Sequence, residues 1–428
     1  MAPPLAGLRV LDAATFVAAP YTAAILGEFG AEVLKIENPA GGDPWRRYGT
    51  ATGRDSDTLA WLSEARNKRS VPLDLRDERG AALFRELVVE SDVVCENFRP
   101  GTMEAWGLGY EPLSELNPGL VMLRVSGYGQ SGPYAQRPGF ARVAQAFGGL
   151  THLAGMPDGP PVTPGSTSLA DYVTGLFGAV GVLVALRERD RSGLGQVVDI
   201  GLFESIFRLL DELAPAYDYA GVVRGREGTG TALACPHGHF PTGDGHWVAL
   251  ACTADRMFER LVIAMQRPEL LDGLATTAQR LARRSEVEAA VTHWTSGLSR
   301  TEVLAACERE SVPCGPVNTI EDIFADPQFA AREMLLRLPV SEVGEVVVPG
   351  VVPKLSRTPG SVSAAGPAFG DAVDEILGEL LGRSPAEVAA LVTAGVTAKR
   401  CPVERFRWWV TVRIRIVYPQ GVRGRWTS

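Results

Sequence analysis

Leu8-Arg-Val-Leu-Asp12, the run from Pro20 to Phe29, and Glu32-Val-Leu-Lys-Ile-Glu37 decide the fold of this chain. The first and third are apolar runs of strand length. The second has helical spacing and stops at Gly30. A strand, a helix and a strand in so short a span make one β-α-β unit, and that connection joins parallel strands. The pattern repeats downstream. Residues 70–74, 92–95, 120–126 and 196–200 read as strands, and residues 78–90, 172–188 and 202–213 read as helices. Six strands alternating with helices predict an α/β fold: an open, mostly parallel, Rossmann-like sheet covered on both faces.

The texture changes near Gly221. Arg224-Gly-Arg-Glu-Gly-Thr-Gly-Thr231 is a polar, glycine-rich loop, and Cys235-Pro-His-Gly-His-Phe-Pro-Thr-Gly-Asp-Gly245 reads as another. A strand at 246–252 and helices at 255–265, 285–295 and 301–310 follow. They predict a smaller α+β domain over 222–325. A strand at 346–352 and helices at 371–381 and 385–393 return the chain to the large domain, which then comprises 1–221 and 326–398. Residues 399–428 stand apart, with eight Lys or Arg against the single Glu404 and three of the eight tryptophans. They read as an appended basic tail.

Composition excludes several classes. Hydrophobic residues at 46% and charged residues at 21% exclude wholesale disorder. A net charge of −8 argues against a nucleic-acid partner. The longest apolar run, 175–186, falls short of the roughly 18 residues a membrane span needs and reads as a buried helix. No basic leader with an apolar core opens the chain. Six irregularly spaced cysteines predict reduced thiols in a cytoplasmic protein.

Gly127-Tyr-Gly-Gln-Ser-Gly132 fits a dinucleotide fingerprint, but Pro133 and Pro138 follow where a helix must open, so no NAD site is expected. Cys235, His237, His239, His246 and Cys252 lack the paired spacing of a zinc site, and no metal is expected. Asp171, in Leu169-Ala-Asp-Tyr172, opens a helix. Such an aspartate serves either as a cap or as a carboxylate held ionised by the helix terminus and able to act as a nucleophile. Spacing alone leaves both open.

An ordered set of stretches resembles the family III CoA-transferases, which include formyl-CoA transferase and carnitine CoA-transferase. The set runs Leu5-Ala-Gly-Leu-Arg-Val-Leu-Asp12, Gly30-Ala-Glu-Val-Leu-Lys-Ile-Glu37, Asn67-Lys-Arg-Ser70, Leu73-Asp-Leu-Arg76, Glu96-Asn-Phe-Arg-Pro-Gly-Thr102, Ser126-Gly-Tyr-Gly-Gln-Ser-Gly-Pro133, Leu169-Ala-Asp-Tyr172 and Gly195-Gln-Val-Val-Asp199. The likeness spans about residues 5–397. It implies Asp171 as the covalent nucleophile and a polarising role for Gln130. It implies a CoA cleft lined by Phe16, Val17, Ala18, Leu73, Arg76, Asn97, Phe98 and Arg99. Arginine or lysine common in the family is missing at Asn38, Ala105 and Ser126, so the CoA phosphates fall to Arg46, Arg47, Arg76 or Arg99. Amides of 127–130 or 225–230 are the expected oxyanion donors.

The same resemblance implies CoA thioesters as substrates, no tightly bound cofactor, and an interlocked homodimer. The loop with Arg224, Arg226 and His237 resembles members that move CoA from succinyl-CoA to small hydroxy-dicarboxylates. The alternative is the α-methylacyl-CoA racemase type. Those proteins carry a histidine in the segment that here reads Arg137-Pro-Gly-Phe-Ala-Arg142, and this chain has Phe140. Racemisation needs an acid/base pair about the α-carbon, so acyl transfer is the expected reaction.

Overall fold

The computed structural model describes residues 2–54, 57–165 and 167–400. Strands β1 (Arg9–Asp12), β2 (Glu32–Glu37), β3 (Lys68–Pro72), β4 (Val93–Glu96), β5 (Val121–Ser126) and β6 (Val197–Gly201) form one sheet in the order β3-β2-β1-β4-β5-β6. Every pairing in it is parallel. The order reverses between β1 and β4, and a crevice opens outside the strand ends at such a switch point. Alternating side chains feed two cores. Leu11, Leu34, Val94 and Met122 face one layer. Val10, Val33, Val93, Val121 and Leu123 face the other.

That second layer is built from α1 (Ala18–Glu28) and the long helix α2 (Leu169–Ser192). Gly175 lets them touch: a Cβ there would lie 2.8 Å from the Ala18 carbonyl oxygen. The Thr22 hydroxyl donates to the Gly175 carbonyl at 2.8 Å. Arg189 and Arg191 in the last turn, and Gly193 at φ +78°, close α2. By length and composition α2 also suffices to cross a membrane. Here one face packs on the sheet layer through Ala170, Thr174, Gly178, Val182 and Ala185. The expectation that the run 175–186 is buried is therefore corrected. Leu176, Val180, Leu183 and Val184 are 42–63% exposed and form an uncovered apolar stripe on the outer face.

A separate core gathers around β7 (His237–Pro241), β8 (Trp247–Ala251) and β9 (Cys314–Pro316), an antiparallel sheet. The stretch read as a loop at 235–245 thus contains a strand. Its register with β8 supplies the hydrogen bonds that His-Gly-His-Phe-Pro does not advertise by propensity. The helix expected over 202–213 is two, Leu202–Phe207 and Leu213–Ala220, separated near Asp211 at φ +39°.

A hairpin of β10 (Leu335–Val340) and β11 (Gly344–Pro349) packs near Trp61 and Leu62. Ile376, Leu377, Val388 and Val396 then join the first core beside Leu11 and Val94. Asp74 N donates to Val396 O at 2.9 Å. Lys399, read as the start of the tail, is ion-paired with Asp374. The rest of that tail, 401–428, lies outside the described residues.

Candidate active site

Asp171 lies in the first turn of α2, and its amide donates to Ser168 O at 2.9 Å. It lines a cavity of about 220 Å³ at the carboxyl ends of the strands. The turn after β1 contributes Phe16, Val17 and Ala18, and the turn after β4 contributes Asn97, Phe98 and Arg99. Ser126 and Gly127 end β5, and Arg137 to Phe140 form a further wall. Gly127 and Gly139 make that wall possible, because a Cβ on Gly127 would lie 2.9 Å from the Gly139 Cα.

Burial pushes the Asp171 carboxyl up to about 7. Burial thus works against the helix terminus, which was expected to hold it ionised. The carboxyl is partly screened from water, and no ion pair involving it occurs among the described residues. The result is a basic carboxylate poised near neutrality. The Ser126 hydroxyl is buried without a hydrogen-bond partner and lies on the same lining. The arginines on this lining are Arg99 and Arg137, and the Arg137 guanidinium stacks 3.7 Å over the Tyr134 ring.

A second cavity of about 420 Å³ adjoins the first and shares Thr15 and Phe98 with it. Leu73, Arg76, Arg47 and Trp106 line it. The eight residues expected to form a CoA cleft are thus distributed over two neighbouring cavities. Arg76 also clasps Asp74 through two hydrogen bonds of 2.8 and 2.9 Å. Arg46 is in neither lining. It is buried against Glu37, with Nε–Oε2 at 2.6 Å, and stacks 3.7 Å from the Trp61 ring centroid. Its guanidinium is part of the core, which corrects the expectation that it meets the CoA phosphates.

Other expected residues lie elsewhere. Gln130 is absent from the Asp171 lining, and its backbone N–H donates to the Asp199 carboxylate at 3.1 Å. Arg224 pairs with Asp211 at 2.7 Å. Arg226 donates to the carbonyls of His152 and Met156. His237 lines a different cavity with Gly230 and Cys314. None of these three lines the Asp171 cavity, and Gly228 of the 225–230 loop packs toward Met156 instead. Arg137 and Ser126 were missed as site residues. The Arg137-Pro-Gly-Phe140 segment was in view, but the sequence does not show that its glycine folds onto Gly127.

A family profile described as CoA-transferase family III matches residues 5–372. The chain is 55% identical over 390 residues, 91% of each protein, to the succinyl-CoA–L-malate CoA-transferase alpha subunit of Chloroflexus aurantiacus. It is 41% identical to that organism's succinyl-CoA–D-citramalate CoA-transferase, over 91% of this chain and 96% of the relative. A crystal structure of a CAIB/BAIF family protein from Brucella suis superposes with a TM-score of 0.79 at 33% identity, covering 89% of this chain and all of that one. The sheet order, the crevice at its switch point and these likenesses agree: the chain belongs to CoA-transferase family III and is a CoA-transferase.

Proposed function

We propose that this protein moves CoA from succinyl-CoA to a small hydroxy-dicarboxylic acid through a thioester on Asp171. The observation that carries the reading is the Asp171 carboxyl itself, desolvated in a cavity of about 220 Å³ at the sheet's switch point. That volume suits a short acyl group, and the carboxylate there is half-buried and basic. The relatives that act on malate and citramalate support the acceptor class.

The chemistry balances in four steps. The Asp171 carboxylate attacks the donor thioester carbonyl, giving a mixed anhydride and CoA thiolate. The thiolate attacks the aspartyl carbonyl, releasing the donor acid and leaving aspartyl-CoA thioester. The acceptor carboxylate attacks that thioester and expels the thiolate again. The thiolate then attacks the acceptor carbonyl, giving the new acyl-CoA and restoring Asp171. Each tetrahedral oxyanion needs fixed donors. The unpartnered Ser126 hydroxyl and the backbone beside Gly127 stand on the lining for that task. Arg137 and Arg99 are placed to take the distal carboxylate of donor or acceptor. The longer CoA arm runs past Thr15 and Phe98 into the second cavity, where Arg47 and Arg76 meet its phosphates. Gln130, Arg224, Arg226 and His237 act in this reading only where a second chain brings them over the cleft.

That second chain is a copy of this one, interlocked with it, and the exposed stripe of α2 is where the two meet. The test is a panel of CoA donors and carboxylic acid acceptors read by mass spectrometry, with hydroxylamine added during turnover. Succinyl-CoA and a hydroxy-dicarboxylate should exchange CoA, and hydroxylamine should modify Asp171. Labelling of another acid, or α-proton exchange without transfer, would overturn the reading.

A further inference from the structure

Phe16 has φ +61°, in the left-handed region that bulky side chains avoid. Strain of this kind persists only where surrounding contacts impose it, and it clusters at functional sites. The contact here is Asp43. Phe16 N donates to Asp43 Oδ1 at 3.1 Å, and Trp45 N donates to the same oxygen at 2.9 Å. Asp43 is itself fixed: its amide donates to Glu37 Oε2 at 2.9 Å, and its Oδ2 lies 3.0 Å from Lys35 Nζ. The Phe16 ring then stands edge-on to Trp45 at 6.5 Å and to Phe140 at 6.2 Å.

A plain counter-ion role would not require this geometry. Lys35 already has Asp12 at 3.4 Å and the Ala14 carbonyl as partners. Asp43 supplies the acceptor for the amide of the strained residue, and Phe16 lies on the Asp171 lining where Asp43 does not.

We propose that Asp43 is a positioning residue for acyl transfer: it holds Phe16 in the left-handed conformation that sets its ring between Trp45 and Phe140, walling the Asp171 cavity against water and large acyl groups. The inference rests on the function proposed above. It adds a specificity device built from a residue outside the Asp171 cavity.

A double-mutant cycle tests it, because only residues acting through one another are non-additive. Asp43→Ala should lower turnover of a succinyl donor about 10²-fold, the scale expected for a displaced wall. Glycine adopts φ +61° without help. On a Phe16→Gly background the same Asp43 change should therefore cost less than about threefold. Asp43→Asn keeps the amide acceptor and should stay within about fivefold of wild type. A second readout needs no turnover. Asp43→Ala should bind a non-reactive CoA thioether with a bulky phenylacetyl-sized group at least about tenfold tighter than wild type, and the gain should vanish on the Phe16→Gly background.

Equal factors in both backgrounds, or an Asp43→Asn variant as damaged as Asp43→Ala, would overturn the proposal. So would failure of both alanine variants to fold, which would make Asp43 a structural counter-ion. A wild type that transfers no CoA would refute the proposed function, while the binding cycle would still judge Asp43.

Discussion

Asn97 and Thr15 clasp each other across the centre of the sheet. Thr15 N donates to Asn97 Oδ1 at 2.8 Å, and Asn97 Nδ2 donates to Thr15 O at 2.7 Å. One residue follows β4 and the other follows β1, so the clasp spans the point where the strand order reverses. It fixes the wall that the two cavities share.

Asn97→Asp keeps the acceptor and loses the donor, and it sets a carboxylate against the Thr15 carbonyl. The variant should lose about 1–3 kcal/mol of stability in denaturant titration. The KM for the CoA donor should rise about tenfold, because the turn carrying Phe16 is released. An unchanged KM would show that the clasp serves folding alone.

Asp171→Asn should abolish transfer by at least about 10³-fold while the chain still folds. In the wild type, kcat/KM should fall on the acid side with an apparent pKa of about 7, since protonation removes the nucleophile. The sign for stability is opposite. The folded-state value lies above that of an exposed carboxyl, so burying the charge is a cost present above pH 7 and absent at pH values low enough to protonate both states. Asp171→Asn should therefore melt a few degrees higher than wild type at pH 8. That advantage should shrink toward pH 4.

Glu96 sits behind the same wall. Burial raises its carboxyl to about 7, although Arg124 Nε at 2.7 Å pulls the other way. Its Oε2 accepts from Phe98 N at 2.7 Å. Arg124→Leu would strand this buried acid and should cost about 3–5 kcal/mol at pH 8. The loss should be smaller at pH 6, where Glu96 takes up a proton. Paired melting curves at the two pH values check this.

Val180 is 59% exposed in the middle of the α2 stripe. If a second chain covers that stripe, Val180→Asp should block assembly and give a monomer or an insoluble protein without activity. Sedimentation velocity distinguishes these from the proposed dimer. A dimeric, active variant would place the interface elsewhere.

The sheet was legible because parallel strands buried on both faces read as unbroken apolar runs, as in Val93-Val-Cys95 and Val121-Met-Leu123. Asp171 was legible through its place at a helix start and its neighbours in Leu-Ala-Asp-Tyr. What was hidden depends on long-range contact. Arg46 looks like a surface cation until Glu37 and Trp61 enclose it. β7 carries glycine and proline, and only its partner reveals it. Asp43 sits in Gly-Gly-Asp-Pro, which suggests a turn, and the sequence cannot show that its acceptor reaches back to Phe16.

The return of residues 376–396 onto the first core has a consequence for synthesis. β1 to β4 leave the ribosome early, and Phe84, Leu87 and Leu113 soon after, yet the core they share with Leu11, Leu34 and Val94 is complete only once Ile376 and Val396 arrive. At about 5–20 residues per second that wait lasts on the order of 15–60 s. During it the part of that core which residues 81–113 do not cover faces the surrounding solution. Production of this protein should therefore depend on chaperone supply and on translation speed more than its finished stability suggests.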